Sequence, residues 1–135
     1  MLITRVEQFS AAHRLHSRTL SDEENKALYG ACNWINGHGH NYRVEVTVSG
    51  PMDQQTGMVV NIAELAHIIR KHALSKLDHK FLDKDIDFFE NRPSTTENVA
   101  IFIWNCLVDK VTLPAQLDQI KLYETEKNYV IYRGE

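Results

Sequence analysis

Cysteine is scarce in this chain, and positive charge is not in surplus. The two cysteines, Cys32 and Cys106, lie in contexts too different to make a disulfide framework. Fifteen lysines and arginines against 18 carboxylates leave a formal charge of −3. That balance excludes a general nucleic-acid binder, which carries a basic stripe. It still allows a small anionic ligand, because a local cluster of Lys and Arg can hold one. No run approaches the roughly 20 apolar residues of a membrane span. The opening "MLITRVEQFS" brings charge too early for a signal-peptide core. A cytoplasmic protein without a membrane or nucleic-acid partner is expected. The chain also lacks a Gly-rich dinucleotide fingerprint, an internal repeat, a low-complexity segment and a linker.

What is present suits one domain over residues 1–135. With 43% hydrophobic and 24% charged residues, the chain can bury a core without a staple. Residues 2–13 read as a strand whose imperfect alternation allows a bulge. Within the long connection 14–37, Ser21 and Glu24 form a capping box and Gly30 a stop, which predicts a short helix. Residues 40–49 alternate, with Tyr42, Val44, Val46 and Val48 on one face and Arg43, Glu45, Thr47 and Ser49 on the other. Asn61 and Glu64 open a helix with the stripe Ile62, Leu65, Ile69 and Ala73. A second helix is expected from Ser94, with Glu97 as its box partner. Its buried face, Val99, Phe102, Ile103, Cys106 and Leu107, makes Cys106 a core thiol. The acidic stretch between the helices is irregular. Residues 118–125 and 129–133 form a hairpin about Lys127-Asn128. The order ββααββ predicts an α+β fold, an antiparallel sheet with two helices on one face.

Strand parity singles out three histidines. His38 and His40 share a face with Tyr42 and Val44, and His13 ends the strand that would lie opposite. Three neutral imidazoles with an open fourth position suit a catalytic zinc, and Gly37 and Gly39 would permit close approach. The competing reading is three interior histidines satisfied by hydrogen bonds. His16, His67 and His72 lack such an arrangement and are expected at the surface. Cys32 follows a helix stop. It is either a thiol activated by the Asp78-His79 pair or the fourth ligand of a closed structural zinc. Adjacent residues on a regular strand point apart, so Asp78 and His79 must sit in a turn to act together. Glu124 shares a face with Ile120 and Leu122. It either meets two parallel N–H donors of a planar ligand or escapes to solvent. Thr95, Thr96 and Glu97 fit a helix start.

The stretches "FSAAHRLHS", "LSDEEN", "GACN", "NGHGHNY", "TGMV", "LDHKFLD", "STTENVA" and "YET" occur in this order across nearly the whole chain. Together they resemble the 6-pyruvoyl tetrahydropterin synthase family, its animal-type members above all. The resemblance implies a tunnelling fold (T-fold) whose ββααββ units assemble into a barrel, as a homohexamer of two trimers with sites at subunit interfaces. It implies zinc on His13, His38 and His40, and Cys32 as the proton-transferring thiol. Asp78 and His79 complete its relay, Glu124 anchors the pterin, and Thr95 and Thr96 are counted with the substrate-binding residues. The implied substrate is 7,8-dihydroneopterin triphosphate, with magnesium on its triphosphate as a further expected ion. The implied product is 6-pyruvoyl-tetrahydropterin, on the route to tetrahydrobiopterin. A carboxy-tetrahydropterin synthase of queuosine biosynthesis and a non-catalytic zinc-stabilised module are the alternatives. Trp34-Ile35 and Ala12 depart from the more polar residues of such relatives.

Overall fold

Two strands of 12 residues, β1 (Leu2–His13) and β2 (His38–Ser49), pair antiparallel in unbroken register from Leu2↔Ser49 to His13↔His38. The bulge allowed in β1 is therefore absent from this pairing. It falls instead between Thr47 and Val48, where β2 meets β4 (Gln116–Thr125). β2 also begins two residues earlier than its clean alternation suggests, taking both histidines into the strand. β5 (Asn128–Tyr132) returns along β4 after a turn at Glu126-Lys127, so Asn128 belongs to the strand rather than the turn. A two-residue β3 (Lys80–Phe81) lies parallel to β1 at Ala11-Ala12 and gives the order β3-β1-β2-β4-β5. The computed structural model describes residues 1–112 and 114–135.

The first helix, α1 (Asp22–Tyr29), starts with both bonds of its capping box and stops at Gly30, whose φ of 55° suits glycine. The second, α2 (Ile62–Ile69), is capped by the Asn61 side chain. It runs on through a π turn at Arg70–Leu74 and a last α turn at Ser75–Leu77. Ile62, expected in the buried stripe, is exposed in the first turn. The third, α3 (Thr96–Leu107), is capped by Thr95, whose hydroxyl accepts the Asn98 N–H. The expected cap at Ser94 is thus one residue early, and the Ser94 hydroxyl is used elsewhere.

The inward faces of β2 and β4 supply Tyr42, Val44, Val46, Val48, Ile120 and Leu122, packed against Leu65, Ile69, Leu77, Val99, Ile103 and Leu107 of the helical layer. Each fully buried aliphatic side chain contributes about 1.5–3 kcal/mol relative to exposure. Cys106 lies at the rim of this core rather than inside it. Its thiol is 3.8 Å from Lys76 Nζ, and burial pushes its pKa up. Among the described residues no helix is long and apolar enough to cross a membrane.

The long connection after β1 is ordered and bolted to the strand end. Leu15 N–H donates to the Cys32 carbonyl at 2.9 Å, Asn33 Nδ2 to the Leu15 carbonyl at 2.7 Å, and Arg14 Nε to the Asn33 carbonyl at 2.8 Å. Buried Asn25 ties α1 back to Ser17. The turn carrying Cys32 is therefore held beside the residues that follow His13.

Candidate metal centre

Because His13 pairs with His38 and His40 is two residues further along β2, all three imidazoles project from one end of the inward face. One ring nitrogen from each lies within 4.8 Å of the others, and His13 Nε2 is 3.1 Å from His38 Nε2. The rings meet edge-on, with centroids 4.6 to 5.2 Å apart. His13 is fully buried, and its Nδ1 is 2.8 Å from the Ser94 carbonyl oxygen. A carbonyl only accepts, so Nδ1 carries the proton and Nε2 turns a lone pair toward the cluster.

Satisfied interior histidines would not look like this. His40 Nε2 is buried without a hydrogen-bond partner among the described residues. Burial, reinforced by His13 and His40, lowers the pKa of His38. Burial also lowers that of His40, against an opposing effect of Glu124. Both therefore favour the neutral form that binds metals. A tetrahedral ion with nitrogen ligands at 2.0–2.1 Å separates those nitrogens by roughly 3.3 Å. The 3.1 Å between His13 and His38 is close to that spacing, and the residues present fit a metal ion.

Glu124 turns inward. Its Oε1 is 3.6 Å from His40 Nε2, its Oε2 is 4.0 Å from His13 Nε2, and the side chain is 18% exposed. The β4–β5 register slips between Tyr123 and Thr125, so the ladder is interrupted where this carboxylate is presented. Thr96 Oγ1 donates to Oε2 at 2.8 Å. The two threonines thus separate: Thr95 serves the helix, and Thr96 holds Glu124. Beneath the imidazoles, fully buried Tyr42 stacks on Phe9 at 4.8 Å, and burial drives its phenol pKa well above the ordinary value.

Cys32 is half-buried in a 3₁₀ turn, Gly30–Asn33, and its sulfur is not one of the three converging ligand atoms. Asp78 and His79 do sit together in a turn. His79 adopts φ 61°, its N–H donates to the Ser10 carbonyl, and its Nδ1 is 3.0 Å from Asp78 Oδ1. The same oxygen accepts the Ser10 N–H at 3.0 Å. That bond first, and the neighbouring His79 with it, lowers the Asp78 pKa. The pair is open to solvent, with side chains 44% and 82% exposed. His79 lines a cleft with Ser10, Ala12, Gly39 and Asn41, residues out of phase with His13 and His38, and the same cleft reaches Ala11 and His40. Among the described residues no hydrogen bond joins the Cys32 thiol to this pair within one chain. His67 is exposed, as expected. His16 and His72 are half-buried, and His16 Nδ1 sits 3.1 Å from Asn33 Nδ2. Trp34 and Ile35 lie exposed just beyond the Cys32 turn.

Sequence reasoning misses Ser94 and Asp83. Ser94 reads as a helix cap, and Asp83 lies in a stretch with no periodicity to place it.

The fold and this centre define an α+β, tunnelling-fold protein with a three-histidine site able to hold a metal. A family model described as 6-pyruvoyl tetrahydropterin synthase matches residues 2–135, and the chain belongs to that family of enzymes. It is 53% identical over 132 residues to a 6-pyruvoyl tetrahydrobiopterin synthase of Drosophila melanogaster, covering 98% of this chain and 79% of the relative. Against the protein of that name from Poecilia reticulata the identity is 55% over 134 residues, covering 98% and 90%. The solved Caenorhabditis elegans 6-pyruvoyl tetrahydropterin synthase superposes with a TM-score of 0.95 at 44% identity, covering 100% of this chain and 96% of that one. The family read from the motifs is thereby borne out.

Proposed function

We propose that this chain converts 7,8-dihydroneopterin triphosphate to 6-pyruvoyl-5,6,7,8-tetrahydropterin with elimination of triphosphate, a step of tetrahydrobiopterin biosynthesis. The observation that carries the reading is Glu124, an inward carboxylate held by Thr96 at the edge of the three-histidine cluster. Its two oxygens suit the parallel N–H donors along a pterin edge. His13, His38 and His40 would hold zinc, which when bound acidifies substrate hydroxyls and stabilises charge developing on oxygen as the neighbouring carbon loses its proton. Cys32, as a thiolate, takes that carbon-bound proton. Asp78 orients His79, which exchanges protons with the thiol. Oxidation and reduction occur within the substrate, so no nicotinamide enters. Magnesium would accompany the triphosphate as its counter-ion.

Cys32 is not joined to the Asp78-His79 pair within one chain, which fits a site completed between subunits, and the family resemblance adds the expectation of a cytoplasmic homohexamer built from two trimers. The test is mass spectrometry of the products after zinc-loaded protein meets 7,8-dihydroneopterin triphosphate. A 6-pyruvoyl product with one triphosphate released per turnover is expected. A carboxy-pterin product would transfer the chain to the queuosine branch. Unreacted substrate, with metal and assembly intact, would overturn the catalytic reading.

A further inference from the structure

Behind the three histidines lies a polar clamp built around Asp83. The carboxylate uses both oxygens: Oδ1 accepts the Ser94 hydroxyl at 2.7 Å, and Oδ2 accepts the Arg14 N–H at 2.8 Å. Ser94 is fully buried, and its carbonyl takes the Nδ1–H of His13 at 2.8 Å. Arg14 directly follows His13, so the clamp closes on itself. One carboxylate grips the main chain beside His13 and also the residue that receives its ring proton. Among the described residues no cationic side-chain nitrogen of Lys, Arg or His lies within 4.0 Å of the Asp83 carboxylate, although it is only partly exposed. The Arg14 guanidinium turns away to Asn33. A half-buried carboxylate without a cation is costly unless a positive charge lies near. A metal in the adjacent imidazole cluster would supply one.

We propose that Asp83 is a positioning residue for the metal centre, acting through Ser94 to hold His13 in the Nδ1–H tautomer with Nε2 aimed at the ion. The inference rests on the metal-binding reading of the three histidines. Outer-shell partners of this kind orient the ligand, raise its basicity and typically change metal affinity by about 10–100-fold when removed. Asp83→Asn is the sharpest probe, because an amide has one acceptor oxygen where the carboxylate uses two. Either the Ser94 hydroxyl or the Arg14 N–H then loses its acceptor. Ser94→Ala breaks the same path without touching Asp83, and Ser94→Thr restores the hydroxyl.

Two readouts decide the matter. The first is the ¹⁵N NMR signature of the His13 ring in metal-free protein, which reports the tautomer. The second is zinc affinity by competition with a chromophoric chelator. In Asp83→Asn and Ser94→Ala the His13 signature should lose its single-tautomer character, and zinc should bind about 10–100-fold more weakly. Ser94→Thr should recover both. Asn25→Ala, which loosens the connection elsewhere, should lower the Tm and move neither. If only one readout moves, or neither does, the proposal fails. Should Asp83→Asn not fold, Ser94→Ala with its threonine rescue carries the test alone. Wild-type protein that takes up no zinc would refute the metal reading itself. The tautomer of the metal-free variants would then still judge the hold of Asp83 on His13.

Discussion

Cys32 and Glu124 carry the most specific claims that single residues make. On the proposed function Cys32 is a proton-transferring thiol outside the imidazole cluster, so its loss should leave metal binding intact. Cys32→Ala should retain zinc and thermal stability while turnover falls about 10²–10⁴-fold, the usual worth of a general acid or base. Zinc content and Tm measured beside the rate check this. Loss of metal would make Cys32 the fourth ligand of a structural site. Asp78 makes a pH-dependent claim. Its pKa is lowered chiefly by the Ser10 N–H and further by His79, so its native value lies below its unfolded one. The stability it contributes is complete above the ordinary carboxylate pKa of about 4 and is lost as pH falls through the lowered native value. Asp78→Asn should therefore lower the Tm at neutral pH, flatten part of the acid limb of a Tm–pH curve, and converge on wild type once the pH is below the lowered native value. An acid limb identical to wild type would show that the Ser10 contact is not maintained in solution.

Strands and helices decide which of these residues can be found in advance. Period-2 parity along β2 and β4 makes His38, His40 and Glu124 legible, because a buried face extends its phase to the strand ends. His13 follows from the antiparallel neighbour, whose register brings it opposite His38. The start of α3 is legible only to within one residue. Ser94, Thr95 and Thr96 are three consecutive hydroxyls with good capping chemistry, and local propensity cannot rank them. Tertiary partners do: Asp83 takes Ser94 and Glu124 takes Thr96, which leaves Thr95 to the helix. β3 is two residues long and has no period to read, so the edge on which Asp78-His79 sits is invisible to periodicity. The division among the hydroxyls can be tested. Thr95→Ala should cost about 0.5–2 kcal/mol of stability as a lost cap, with little change in KM. Thr96→Val should raise KM for the pterin substrate, because the Glu124 carboxylate loses the donor that orients it. Urea unfolding and steady-state kinetics on both variants separate the effects. Equal KM changes would show that the two hydroxyls share one role.

At the scale of the whole molecule, no hydrogen bond among the described residues of one chain joins the groups proposed to transfer protons, Cys32 and the Asp78-His79 pair. The Asp78-His79 turn sits at the β3 edge, and His79 lines a cleft that takes in outward residues of β1 and β2 and reaches His40. The Cys32 turn is stapled beside Leu15, past the inward end of β1. No sequence period reports which chain completes a site, so this feature is legible only through the family resemblance. If the site is shared between subunits, two inactive variants should rescue each other. Cys32→Ala lacks the thiol but offers an intact Asp78-His79 pair, and His79→Ala offers the reverse. In oligomers reassembled from an equal mixture, roughly one quarter of the sites should draw the thiol from one variant and the intact pair from the other. Turnover should then return to about that fraction of wild type, while each variant alone stays inactive. Native mass spectrometry of the mixture confirms that subunits have exchanged. Silence in verified mixed oligomers would mean that thiol and relay come from the same chain, and that the Cys32 turn must swing toward the sheet edge to meet His79.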